Sequence, residues 1–204
     1  MHFGRHQEEG EPLLAAFGAG DGDPGLGERR AAGEPFDAWP VALSLFPARS
    51  RFASCLPPGA VDRHAPPPFL IELTRAGTLP AAWQPRVDAV LTLGRESGAV
   101  PRVFGSALWQ HLSGHSCLRP DSDLDLLWCG SELSSPSAVD TLLAGLARLA
   151  DGSPRLDGEL LLADGSGVQW RELAAASPGD EILLKAADGV RMVQARTVRD
   201  LLPA

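Results

Sequence analysis

Several features that mark specialised classes of protein are missing or scarce in this chain of 204 residues. It has three cysteines, an odd number without Cys-x-x-Cys spacing, which predicts reduced thiols and excludes a disulfide framework. No apolar run approaches the roughly 20 residues of a membrane helix, and the first residues lack the basic and apolar segments of a secretory signal. We therefore expect a cytoplasmic protein without a membrane partner.

The chain also lacks an excess of positive charge. Its formal net charge is −8 at pH 7, whereas a nucleic-acid partner requires a basic surface. The composition, 44% hydrophobic and 22% charged, is that of an ordinary globular protein able to bury a core. Nucleic-acid binding is therefore disfavoured, and chemistry on small nucleotides is favoured.

Composition divides the chain into three predicted parts. Residues 1–35 are rich in Gly, Ala and acidic residues, and their GAGDGDPG segment lacks the flanking strand and helix of a dinucleotide-binding loop. They are predicted to form a flexible lead-in. Residues 36–75 are predicted to form a small N-terminal module, with a strand in WPVALSLFP and a Pro-rich linker, PPGAVDRHAPPPF. Residues 76–204 are predicted to form the catalytic domain.

Helical and strand patterns are mixed in this last part. Pro85 is expected to open one helix, and Ser137 to cap a second with apolar residues at helical spacing. RLDGELLLADGSGVQW and the pair EILLK and VRMVQA each predict two strands around an Asp-Gly turn. Because strands and helices do not alternate strictly, the predicted class is α+β with a mixed sheet and flanking helices.

The most informative segment is RVFGSALWQHLSGHSCLRPDSDLDLLW, residues 102–128. It predicts a short strand, a Gly-Ser turn opening a helix, and a second strand on which Asp123 and Asp125 point to one face while Leu124 and Leu126 point to the other. Adjacent carboxylates repel unless a cation lies between them, and Mg²⁺ (or Mn²⁺) held by one or two carboxylates usually also binds substrate phosphates. An edge strand with solvated carboxylates is the alternative.

Gly105 and Ser106 are predicted to contact phosphate. Gly allows a close backbone approach, and Ser106, expected as the N-cap, heads a helix whose free N–H groups attract anions. A simple turn and helix cap is the alternative explanation. Trp109 stands where a capping box requires Glu or Gln, which leaves the Ser106 hydroxyl freer to bind a ligand.

The Gly-Ser, helix, Asp-x-Asp arrangement resembles the nucleotidyltransferase superfamily. GSALWQHLSG, SDLDLLW, LDGELLLADGSGVQWREL and ILLKAADGVRMV, in that order, more closely resemble the family of phosphoribosyl-dephospho-CoA transferases that serve malonate decarboxylase. The gap from Ser106 to the aspartate pair is longer than is common in the superfamily, and this length agrees with the transferase branch. The resemblance implies a nucleotidyltransferase-like mixed sheet in which Asp123 and Asp125 are the essential aspartates.

It also implies a reaction. The donor would be 2′-(5″-triphosphoribosyl)-3′-dephospho-CoA, the acceptor a serine of the apo acyl-carrier subunit of malonate decarboxylase, and the by-product diphosphate. The alternative is a metal-dependent nucleotidyltransferase that moves AMP from ATP to a small molecule or a protein. Acyl carrier proteins are usually acidic, so docking would require a locally basic patch. The candidates are Arg49, Arg51, Arg63, Arg75 and Arg86.

A third carboxylate is expected in LDGEL, where Asp157 and Glu159 share one strand face. Glu159 is slightly preferred as the catalytic group and Asp157 as a further metal ligand, and a solvent-facing acidic pair is the alternative. Lys185 is predicted to bind substrate phosphate, although a solvated Lys is common at a strand end. Arg171 and Arg191 are weaker phosphate-binding candidates. His111 and His115 have zinc-like spacing, but Gly114 is expected to end the helix between them, which disfavours zinc.

Overall fold

The computed structural model describes the backbone of Leu13–Ala15, Trp39–Leu45 and Ser50–Leu56, and residues 65–186 and 189–203. The three N-terminal segments form strands β1 (Leu13–Ala15), β2 (Trp39–Leu45) and β3 (Ser50–Leu56) of an antiparallel sheet in that order. The strand predicted in WPVALSLFP is confirmed as β2. Most of the predicted lead-in and residues 57–64 of the predicted linker lie outside the described residues, and the three-part division stays a prediction.

The remaining elements form a six-stranded sheet with helices. The helices are α1 (Leu70–Arg75), α2 (Gln84–Ser97), α3 (Gly105–Ser113), α4 (Pro136–Arg148), α5 (Trp170–Ala175) and α6 (Ala195–Asp200). The strands are β4 (Arg102–Val103), β5 (Leu124–Cys129), β6 (Leu156–Leu161), β7 (Gly167–Gln169), β8 (Glu181–Ala186) and β9 (Gly189–Gln194). Short 3₁₀ turns lie at Ala81–Trp83 and Gly130–Glu132. Across the described ranges, the helices are too short or too polar to traverse a lipid bilayer.

The sheet has the order β4-β5-β6-β7-β8-β9. Strands β5 and β6 are parallel, and every other neighbouring pair is antiparallel. Strands β5 and β6 are parallel because α4, which connects them, returns the chain to the end of the sheet at which β5 began. The predicted hairpins β6–β7 and β8–β9 instead reverse the chain direction in a short turn. The predicted α+β class with a mixed sheet and flanking helices is confirmed.

Local sequence sets the helix boundaries, with one correction. Pro85 lies in the first turn of α2, as predicted, where its missing N–H costs no hydrogen bond. The expectation that Ser137 caps α4 is wrong. Pro136 takes the first helical position, so Ser135 is the N-cap, and its hydroxyl accepts a bond of 3.2 Å from the amide of Ala138.

One hydrophobic core lies on one face of the six-stranded sheet. Leu124 and Leu126 of β5 and Leu156 of β6 are fully buried in it together with the apolar faces of the helices. Leu70 and Leu73 of α1 belong to the same core, so α1 packs with the unit that was predicted to begin at residue 76. Because strand side chains alternate between faces, burying these leucines turns the carboxylates between them to the opposite face.

Candidate active site

Three aspartates lie where β5 and β6 begin. In the parallel register, Asp125 of β5 lies opposite Asp157 of β6, so the two half-buried side chains are neighbours on one face. Asp123 lies two residues before Asp125 and shares that face, as the sequence predicted. The register therefore places the three residues expected to bind metal, Asp123, Asp125 and Asp157 (the carboxylate cluster), on one face of the sheet where β5 and β6 begin.

Asp123 is bound by an arginine that was not predicted to belong to the site. The Nε of Arg155 donates to Oδ1 of Asp123 at 2.9 Å, and a second guanidinium nitrogen donates to Oδ2. These hydrogen bonds hold the pKa of Asp123 below its usual range, and the charge of Arg155 adds to the effect. Asp123 in turn raises the pKa of Arg155, and Asp157 and Asp125 contribute more weakly. Arg155 is therefore the cation that is hydrogen-bonded to the carboxylate cluster, and the charge of Arg171 also lowers the pKa of Asp123.

The Gly-Ser turn packs directly against Asp125. Gly105 has φ +63°, and a side chain at this position would collide with the Asp125 carboxylate. The amide of Phe104 also donates to the Asp125 carbonyl at 3.1 Å. Position 105 therefore requires glycine for two reasons: its backbone has a positive φ, and Asp125 occupies the space that a side chain would need.

Helix α3 begins two residues earlier than expected. Gly105 is its first residue and Phe104 its N-cap, so the expectation that Ser106 is the N-cap is wrong; Ser106 lies half-buried in the first turn. Phe104 provides no side-chain hydrogen bond to the amides of that turn. The start of α3 thus presents backbone N–H groups next to the carboxylates, an arrangement that suits a phosphate bridged by a cation.

Asp157 is held in place by a glutamine that was also not predicted. Its Oδ1 accepts bonds from the Gly158 amide at 2.8 Å and from Nε2 of Gln169 at 3.0 Å. The Oε1 atom of Gln169 accepts from the amides of Arg171 and Glu172 and so caps α5. The amide group of Gln169 therefore fixes Asp157 relative to α5. A glutamine at the junction of a strand and a helix is a weak signal that sequence reasoning could have used.

Glu159 and Lys185 lie further along the same face and bind each other. Glu159 is two residues beyond Asp157, about 6–7 Å along a strand, and its carboxylate forms an ion pair with Lys185. Gly167, which lies opposite Lys185 in the sheet, leaves room for the Glu159 carboxylate. The structure thus places these two predicted site residues in one ion pair, beside the carboxylate cluster.

The other cationic candidates have different surroundings. Nη2 of Arg171 donates to the carbonyl of Leu156 at 2.8 Å, and its guanidinium carbon lies 4.5 Å from the ring centre of Trp170. Arg191 lies opposite buried Leu184 in the β8–β9 register and so belongs to the other side of the sheet from Lys185. The structure does not bring Arg191 to the carboxylate cluster.

The histidines do not share a helix face. Helix α3 ends at Ser113, and Gly114 follows in the left-handed conformation, as predicted. His111 lies before this end, with Nδ1 3.5 Å from the Thr78 hydroxyl, and His115 lies after it. The spacing of four residues therefore does not place the two imidazoles one helical turn apart.

The carboxylate cluster has the donor chemistry of a magnesium or manganese site. Within the described ranges, no three His, Cys, Asp or Glu side chains converge into a group that could hold a metal ion by themselves. Mg²⁺ in phosphate-transfer sites needs only one or two carboxylates, with substrate oxygens and water completing the shell. Asp123, Asp125 and Asp157 offer oxygen ligands only, which fits such an ion, provided that Asp123 is released from Arg155.

Known proteins resemble this chain over most of its length. Residues 70–196 match the family model "Phosphoribosyl-dephospho-CoA transferase MdcG C-terminal domain". A phosphoribosyl-dephospho-CoA transferase of Xanthomonas campestris pv. campestris (strain 8004) is 34% identical over 185 residues, 90% of this chain and 84% of that protein. The enzyme of the same name from Bradyrhizobium diazoefficiens is 35% identical over 161 residues, 76% of this chain and 68% of its own.

No solved structure matches the chain, so the assignment rests on sequence. The matched range contains the Gly105 turn, all three clustered aspartates and the Glu159–Lys185 pair. It thus includes the residues that form the polar face of the six-stranded sheet. The resemblance stated from the motifs is confirmed, and the chain belongs to the phosphoribosyl-dephospho-CoA transferase MdcG family of transferases.

Proposed function

We propose that this protein transfers the phosphoribosyl-dephospho-CoA group from 2′-(5″-triphosphoribosyl)-3′-dephospho-CoA to a serine of the apo acyl-carrier subunit of malonate decarboxylase, releasing diphosphate. The observation that carries the proposal is the placement of Asp123, Asp125 and Asp157 on one sheet face, with Asp125 packed against the Gly105 turn. Carboxylates next to the N-terminus of a helix suit a polyphosphate that a divalent ion bridges. The names of the relatives identify the group that is moved. A cytoplasmic location and the absence of a nucleic-acid partner stay predictions.

Asp123, Asp125 and Asp157 would hold Mg²⁺ or Mn²⁺. The ion would supply charge neutralisation at the phosphate under attack. The α3 amides and the half-buried Ser106 would bind the phosphates that leave. Binding the donor at this edge would leave the acceptor serine to approach from solvent, since the edge lies outside the hydrophobic core.

Asp157 is the better of the two third-carboxylate candidates. It lies opposite Asp125, whereas the carboxylate of Glu159 is bound by Lys185. In the proposed reaction the serine oxygen forms a bond to the α-phosphorus of the donor and the bond from that phosphorus to the diphosphate oxygen breaks. The serine proton passes to the Asp157 carboxylate, which Gln169 keeps oriented. Glu159 and Lys185 would support this arrangement from the neighbouring part of the face.

Intact-mass spectrometry of the apo carrier subunit tests the proposal. The subunit is incubated with this protein, Mg²⁺ and the triphosphoribosyl donor, and a gain equal to the phosphoribosyl-dephospho-CoA group is expected. EDTA or Asp125→Asn should remove the gain, whereas Asp88→Asn, an exposed carboxylate on α2 that accepts from Gln84, should leave it unchanged. No gain with the donor, but a gain of one AMP with ATP, would replace this proposal by the general nucleotidyltransferase reaction.

A further inference from the structure

The guanidinium of Arg155 lies beside the carboxylate cluster, where a metal ion would otherwise supply positive charge. This guanidinium binds both oxygens of Asp123 in a fork, and the charges of Asp157 and Asp125 also act on it. A carboxylate whose two oxygens accept from one guanidinium has few lone pairs left for another ligand. Asp123 therefore cannot bind Arg155 in this way and ligate a metal ion fully at the same time.

The Arg155 side chain is free to move away from this position. It is 63% exposed, although its backbone is fixed where β5 and β6 begin, because its carbonyl accepts from the Leu124 amide at 2.9 Å. An ion pair at this exposure is weak, since water competes for both partners. The interaction can thus open without disturbing the strands.

Two other arginines near this edge are held differently. Arg86 donates to the backbone carbonyls of Asp151 and Pro154, and Arg171 donates to the carbonyl of Leu156. These bonds tie both guanidinium groups to the loop and the strand start around Arg155. Of the three arginines, Arg155 is the one whose guanidinium binds a side chain of the carboxylate cluster. It is therefore the one placed to exchange that carboxylate for another partner.

We infer that Arg155 is an exchangeable counter-ion, which binds Asp123 while no metal is present and turns outward to bind the donor's phosphates when metal takes Asp123. The inference rests on the proposed function and adds a substrate-binding residue to it. A planar guanidinium matches phosphate as well as carboxylate, so the side chain can exchange one partner for the other. Metal and Arg155 compete for Asp123, whereas polyphosphate and Arg155 attract each other.

The competition predicts opposite effects of one substitution on two ligands. With Mn²⁺ alone, measured by electron paramagnetic resonance, Arg155→Met should bind roughly three- to five-fold more tightly than the unchanged protein, because a weak exposed competitor is removed. With Mn²⁺ saturating, inorganic triphosphate, measured by calorimetry, should bind the same variant roughly ten-fold more weakly, because a charge-assisted bond to phosphate is lost. Arg155→Lys keeps the charge without the fork, so its affinity for triphosphate should lie between the two.

Arg196→Met is the matched control, since it removes one exposed arginine from α6, which packs against β8 and β9. It should bind both ligands like the unchanged protein, and far-ultraviolet circular dichroism should show every variant folded. Unchanged or weaker Mn²⁺ binding by Arg155→Met would overturn the inference, and so would unchanged binding of triphosphate. Asp125→Asn separates the two ideas: if it still binds Mn²⁺ normally, the proposed metal site itself fails, whatever Arg155 does.

Discussion

Two ion pairs on the same polar face differ in how far water reaches them. The Asp123 and Arg155 side chains are 28% and 63% exposed, and those of Glu159 and Lys185 are 13% and 25% exposed. Exposed pairs open at little cost, whereas breaking an enclosed pair leaves a charge without water or a partner. We therefore expect ligands to exchange at the exposed pair, where β5 and β6 begin, and the enclosed pair to stabilise the surface beside it.

The largest effect should separate Asp157 from Glu159. Asp157→Asn should lower the rate of group transfer by at least roughly a hundredfold, because it removes a proposed ligand and proton acceptor, whereas Glu159→Gln should lower it no more than roughly tenfold. Initial rates at saturating donor, followed by intact mass of the carrier subunit, measure both. Equal losses, or a larger loss for Glu159→Gln, would return the catalytic role to Glu159.

The next largest effect should come from Gln169, which would influence group transfer only through its contact with Asp157. Gln169→Met removes the amide that orients Asp157 and the acceptor that caps α5. Transfer should slow roughly ten- to a hundredfold, and loss of the cap should lower the free energy of unfolding by about 1 kcal/mol. Gln84→Met, on an exposed side chain that binds Asp88 within α2, should leave the rate unchanged. A variant of Gln169 that unfolds earlier but transfers at the normal rate would limit this residue to capping.

The enclosed pair should be visible in stability. Lys185→Met leaves Glu159 without its cation and should lower the free energy of unfolding by about 1–3 kcal/mol, a value reduced from that of a fully buried pair because the side chains remain partly exposed. Combining it with Glu159→Gln should recover most of the loss, which urea denaturation of both single variants and the double variant would measure. Arg155→Met should lower the urea midpoint much less than Lys185→Met does, because an exposed ion pair contributes little to stability. If Arg155→Met destabilised the fold as much as Lys185→Met, the contrast between the two pairs would be wrong.

The smallest effect is a pH dependence. Arg155 lowers the pKa of folded Asp123 below its unfolded value, so the pair contributes stability above the unfolded pKa of about 3.9, which is lost as pH falls through the lowered folded value. The unfolding free energies of the unchanged protein and of Asp123→Asn should thus differ at pH 5–7 and converge once the pH lies below the lowered pKa of folded Asp123. Urea melts at four pH values measure this difference. A gap that persisted at the lowest pH would have another cause.

Local patterns were enough to predict much of the fold. The Asp-Gly turns predicted the two hairpins, and the leucines between the aspartates predicted which face of β5 is buried. These features depend on residues close together in the chain, and turn chemistry and alternation report on such neighbours directly. The starts of two helices were predicted incorrectly. Phe104 and Ser135 are the N-caps of α3 and α4, where Ser106 and Ser137 were expected.

The candidate site was predicted in its residue types and less completely in its contacts. Asp123, Asp125 and Gly105 lie in one segment of the sequence, so their neighbouring positions could be predicted from that segment alone. Arg155 and Gln169 were missed because each contacts an aspartate on a different strand. Arg155 would have been found by aligning LDGEL with LDLLW as parallel strands, since the register that places Asp157 opposite Asp125 also places Arg155 beside Asp123.

The sequence by itself determined the strand that carries Asp123 and Asp125, the glycine turn beside it, the α+β class and the family. Alternation, turn chemistry and motif order are properties of the chain, and they need no folded partner. Only the tertiary structure decided that Asp157 stands next to Asp125, that Arg155 neutralises Asp123, and that Glu159 and Lys185 bind each other. These contacts depend on the register of β6 against β5 and of β8 against β7. Packing of the whole core sets that register, because a shift by one residue would turn the leucines outward and bury the carboxylates.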